Sequence, residues 1–149
     1  MSEEVYVGGM ATENVKIDVK DLKDIEIKRK STSKEIYEIA IPLSKSVNRV
    51  WGKFLDQGYH NSIYKHKRPV TISGNILNSE TEPSHIGEHI KWLGKLIEDT
   101  NKRAREHNEK LEIEKKKARE EKRKEEEKIR LMKEKVFNYI SKSLPKKES

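Results

Sequence analysis

There is no cysteine in this chain. Disulfides, thiolate metal sites and cysteine nucleophiles are therefore excluded. Long apolar runs are missing too: no stretch of about 18 such residues exists, so nothing reads as a membrane-spanning helix. Aromatic residues make up 6% and all apolar residues 32%, where an ordinary soluble domain is nearer half apolar. Neither GxGxxG nor GxxxxGKS/T occurs, so no phosphate-cradling loop can be argued. GxSxG and HExxH are absent as well. The sequence points to no catalytic residue and no cofactor, and a non-enzymatic protein is expected. The opening stretch, MSEEVYVGGMATENV, is acidic and lacks a long apolar run; no signal peptide is expected, and the cytoplasm is the expected compartment.

What the chain does have is charge. Charged residues are 40% of 149, with a net charge of +7. Both signs are mixed, which dilutes the field but leaves contact with nucleic acid open. The charge is also concentrated. Residues 111–149 hold 14 Lys/Arg and 9 Asp/Glu, whereas residues 1–110 hold 19 and 17.

Period-2 and period-3.6 patterns divide the first part. Residues 1–14 read as a flexible leader with a short extended piece at Val5–Val7. Val15–Val19 alternates as a half-buried strand does, and a β-hairpin is expected near 22–30 and 34–43. Within it Tyr37, Ile39, Ile41 and Leu43 share one side, and Pro42 marks the end because it lacks an amide donor. Ser44 or Ser46 then caps a helix whose stripe is Val47, Val50, Trp51, Phe54 and Leu55, stopping near Gln57-Gly58. Arg68–Leu77 reads as one strand, wet on the side of Thr71, Ser73 and Asn75, with Gly74 marking a bulge. Asn78–Pro83 reads as a loop. From Ser84 a helix starts, with Ile86, Ile90, Leu93 and Ile97 as its stripe.

That helix has no reason to stop. No proline or glycine interrupts Lys95–Leu144, and the 112–128 stretch is made of strong helix formers. Its Glu/Lys/Arg pairs at i,i+4, such as Glu126 and Arg130, support a helix that is exposed throughout. Beyond it Ile129, Met132, Val136, Phe137, Ile140 and Leu144 form a second apolar stripe flanked by Lys133, Lys135 and Lys142.

The fold class expected is α+β. A small ββαβα domain spans 15–104, with helices on one side of a three- or four-stranded sheet. A long charged C-terminal helix follows: a stalk over 105–128 and an amphipathic docking helix and tail over 129–149. No motif is specific enough to name a family.

Four groups of residues are candidates for a role. The C-terminal stripe, Met132, Val136, Phe137 and Ile140 above all, is expected to bind a protein partner or a second copy in a homo-oligomer; a membrane is the weaker option because the stripe has no Trp and glutamates precede it. Trp92 either widens the buried stripe with His89 and Leu96, or anchors a partner. Tyr64, Lys65, Lys67 and Arg68, with Tyr59, His60 and His66 nearby, combine aromatic and basic groups as single-strand binders do. The plainer reading is a solvated rim, since the strand that follows offers no aromatic platform. His85 and His89 lie four apart on a helix start and could hold zinc with a third ligand from Glu82 or Glu88. Without HExxH the plainer reading is two histidines near a helix end, and no metal is expected.

Overall fold

A computed structural model describes residues 9–143. Residues 1–8 and 144–149, and with them Leu144 and the extended piece expected at Val5–Val7, lie outside the described residues. The chain divides into two compact units, Met1–Glu109 and Lys110–Ser149.

The alternating segments pair as their periodicity requires. β1 (Glu26–Arg29) and β2 (Tyr37–Pro42) form an antiparallel hairpin with Ile27 opposite Ile39. The expected start of β1 at residue 22 is instead a short 3-10 turn, Leu22–Asp24. The Asp21 and Asp24 carboxylates there accept backbone amides that a strand would need. The strand expected over Val15–Val19 shrinks to a single bridge, Ile17 opposite Leu43.

Helix α1 (Arg49–Asn61) is capped by neither Ser44 nor Ser46. Asn48 takes the position, its Oδ1 accepting from Trp51 N at 3.0 Å. Nor does α1 stop at Gly58. A Cβ there would lie 3.0 Å from Leu96 Cδ1, so glycine serves close helix approach and not a cap.

The single strand expected over Arg68–Leu77 is two strands. β3 (Thr71–Ser73) and β4 (Ile76–Thr81) form a second hairpin, and β4 also pairs with β2. Gly74 and Asn75 are its turn, with Gly74 at φ 65°; it is not a bulge. The Asn78–Pro83 segment is therefore mostly strand. The observed order is ββαββα, and the sheet runs β1-β2-β4-β3, antiparallel throughout. Class α+β is as expected; the element count is corrected by one strand.

After a 3-10 turn, Pro83–His85, helix α2 (Ile86–Ser143) runs for 58 residues and supplies both units. Its buried residues are His89, Leu93, Leu96, Ile97, Thr100, Asn101, Ala104 and Asn108. The buried line thus differs from the Ile86–Ile90 line expected, and both of those isoleucines are exposed. The core cluster gathers Ile39, Ile41 and Leu43, then Trp51 and Leu55 of α1, Leu77 of β4 and Leu93, Leu96 and Ile97 of α2. Phe54, Val70 and Ile72 pack at its margin.

Two buried asparagines fasten the segment before β1. Asn101 accepts from Val15 N (3.1 Å) and donates to Val15 O (2.7 Å), and its Oδ1 also takes Trp51 Nε1–H at 3.0 Å. One heptad on, Asn108 accepts from Ala11 N (2.7 Å) and donates to Ala11 O (2.9 Å). Each side-chain amide thus pairs with a backbone amide and carbonyl as a neighbouring strand would, satisfying polar groups that have no sheet partner. Asn14 bends the chain between them at φ 57°, a value asparagine tolerates. From Gly9 onward the expected leader is therefore bonded to the core.

Candidate functional site

The first unit collects its aromatic and imidazole groups where the loop after α1 meets the start of α2. Tyr64 lies on the Trp92 ring at 5.0 Å and 28°, and Trp92 Nε1–H donates to Ser62 Oγ at 2.7 Å. Tyr59 meets Trp92 edge-on at 5.9 Å. The loop is therefore held by stacking and by one strong hydrogen bond. Trp92 packs against the core cluster, as in the stripe-widening alternative, flanked by His89 and Leu96, both buried.

The basic residues of this loop are largely committed. Lys67 Nζ donates to Tyr59 O (2.9 Å) and Ser62 O (3.0 Å) and sits 4.8 Å above the Tyr59 ring. Arg68 lies 3.8 Å from the Glu82 carboxylate. Lys65 is the exposed cation of the candidate nucleic-acid set, and the Tyr64 hydroxyl is buried. The structure thus brings these four residues together and turns three of them toward other protein groups.

His85 and His89 part company. His89 is fully buried, its Nε2 2.8 Å from Ser79 Oγ on β4. Burial, with a smaller effect from the Arg68 charge, pushes its pKa below the usual histidine value, so it is a neutral core residue. Its Nδ1 and the Tyr64 hydroxyl are both buried without a hydrogen-bond partner among the described residues. Burial and the Glu88 charge raise the Tyr64 phenol above its ordinary value, so it keeps its proton. His85 instead faces His66: the rings are 3.8 Å apart at their centres and 14° from parallel. Glu88 lies beside them, and one donor atom from each of the three falls within 4.8 Å of the others. A partner for His85 from the loop was not visible in the sequence, because the two histidines belong to different local patterns.

The second unit has no buried residue from Glu112 to Ser143. Its ion pairs run along the helix: Arg123 to Glu120 at 2.7 Å, and Arg130 to Glu127 at 2.7 Å and also to Glu134. Arg130 thus pairs with Glu127 and Glu134, not with Glu126. Ile129, Met132, Val136, Phe137 and Ile140 are exposed, along with Leu131 and Tyr139. Among the described residues no helix is long and apolar enough to cross a membrane. Comparison with protein-family models, curated proteins and solved structures found no match for this chain.

Proposed function

We propose that this is a non-enzymatic assembly protein that pairs with a second copy of itself through the last turns of α2. One observation carries the reading. Ile129, Met132, Val136, Phe137 and Ile140 are each between 40% and 69% exposed on a helix, and a contiguous row of large exposed apolar side chains marks an interaction surface.

A second copy is favoured by the spacing. Ile129, Met132, Val136 and Tyr139 follow one another at 3, 4 and 3, a seam of two heptads. Such a seam is its own complement when two helices run antiparallel. Ile129 then meets Tyr139 of the other copy and Met132 meets Val136, with Ile140 at the flank of the seam. Two heptads make a short seam, so the association is concentration-dependent and not a permanent coiled coil. The nucleic-acid reading is weaker because Lys67 and Arg68 are already engaged.

Light scattering on the full chain across a range of concentrations tests the proposal. A dimer is expected for the parent, and a monomer for the M132E/V136E double substitution. A parent that stays monomeric at the highest soluble concentration would sink it.

A further inference from the structure

His66, His85 and Glu88 come from two stretches that are distant in sequence. His66 is in the loop between α1 and β3, His85 closes the turn before α2, and Glu88 lies in the first turn of α2. Their donor atoms converge within 4.8 Å. The imidazole rings of His66 and His85 lie face to face, 3.8 Å apart at their centres, with Glu88 beside them. We infer that these three side chains form a binding site for a divalent transition-metal ion of the zinc class.

The donor set fits that class. Two imidazoles and one carboxylate suit zinc, whereas calcium and magnesium take mainly oxygen. Around a tetrahedral ion with bonds of about 2.1 Å, donors sit about 3.4 Å apart. The present set must close by up to about 1.4 Å, and the near-parallel rings must tilt so that both lone pairs aim at one ion. His66 and Glu88 are exposed and free to turn that far.

The surroundings support the ligands. Tyr64, two residues before His66, is fixed on Trp92 and also meets the His66 ring edge-on at 5.8 Å. Glu82 Oε2 lies 3.6 Å from His85 Nε2. That is too long for a hydrogen bond, but it sets negative charge beside the ring. Arg68, near Glu82, and the positive end of α2 both oppose a cation. The Glu82 and Glu88 carboxylates offset them. Three protein ligands leave a fourth position open to water, the arrangement of exchangeable or reactive zinc and not of a sealed structural site.

Isothermal titration of the full-length chain with ZnCl2, with MgCl2 as the control, tests the site. One zinc ion per chain is expected and no heat from magnesium. H66A and H85A should each weaken zinc binding by about tenfold or more, the loss typical of a disturbed metal site. H60A and H107A, the histidines outside the cluster and the core, should leave it unchanged. If H85A lowers the melting temperature of the metal-free protein, H66A and E88Q carry the comparison alone. Titration with CoCl2 should add the visible absorption band of four-coordinate cobalt, and H66A should lose it. Absence of saturable zinc binding overturns the site. So does zinc binding that is equal in the parent, H66A and E88Q.

Discussion

Ile97 and Ile140 are the same residue on the same 58-residue helix, yet the first is 4% exposed and the second 49%. Nothing in their local backbone distinguishes them. Up to Asn108 the chain supplies other elements for α2 to meet: Trp51 and Leu55 of α1, Leu77 of β4, and the extended stretch from Ala11 to Val15. In the second unit it supplies none among the described residues. Helicity there rests on intrinsic propensity and ion pairs along the helix, whereas in the first unit it rests on burial. The same secondary structure thus has two physical origins, which should separate under perturbation.

The largest separation should come from Trp51→Ala. Trp51 is fully buried, and its indole N–H bonds Asn101. A loss of about 3–5 kcal/mol is expected in chemical denaturation of the first unit. Phe137→Ala, which also removes a whole aromatic ring, should change that unit's stability by no more than about 0.5 kcal/mol. Both tryptophans lie in the first unit, so their fluorescence reports it selectively. If F137A destabilised it as W51A does, the contrast would fail.

Next should be Asn101→Ala. It strands the Val15 amide and carbonyl and the Trp51 indole. Leaving a buried polar group unpaired costs about 1–3 kcal/mol, so a total of at least about 3 kcal/mol is expected. Asn108→Ala should cost less, about 2 kcal/mol, since it strands the two Ala11 groups while its third partner, the Glu13 carboxylate, is only part-buried. Equal losses in urea titrations would show that the two amides do not differ as their partners do.

The smallest effect tests the close approach of α1 to the first turns of α2. A Cβ at Gly52 meets nothing within 4 Å, and one at Gly58 lies 3.0 Å from Leu96 Cδ1. Gly52→Ala should stabilise the unit by about 0.5–1 kcal/mol through helix propensity. Gly58→Ala should gain less, because Leu96 must shift. A thermal melt in which G58A exceeds G52A would contradict that close approach.

Much of the first unit was legible where one period ran unbroken. The β1–β2 hairpin followed from the alternation through Ile39, Ile41 and Leu43, and α1 from its stripe. The second hairpin was hidden by its own chemistry. β4 turns Leu77, Ser79 and Thr81 inward, so two of its three buried residues are polar and no apolar alternation remains. Ser79 belongs there because His89 is its partner. The Gly74-Asn75 pair between Ser73 and Ile76 was the available sign of a two-residue turn. Asn101 and Asn108 escaped for the same reason: polar residues on a buried stripe read as gaps in it. The His66–His85 approach depends on a loop path that no periodicity encodes.

The asparagine pairs also set an order of events. Ala11 and Val15 are made first, and the amides that receive them follow 97 and 86 positions later. A growing chain that has released both hairpin sequences and α1 can hold Met10 and Thr12 through Asn48, but it still lacks the partners of Ala11 and Val15. Domains generally fold as units while synthesis proceeds from the N-terminus, and contacts this distant in sequence form slowly. The Ala11 amide and carbonyl must therefore wait for their partner until the codon for Asn108 has been read.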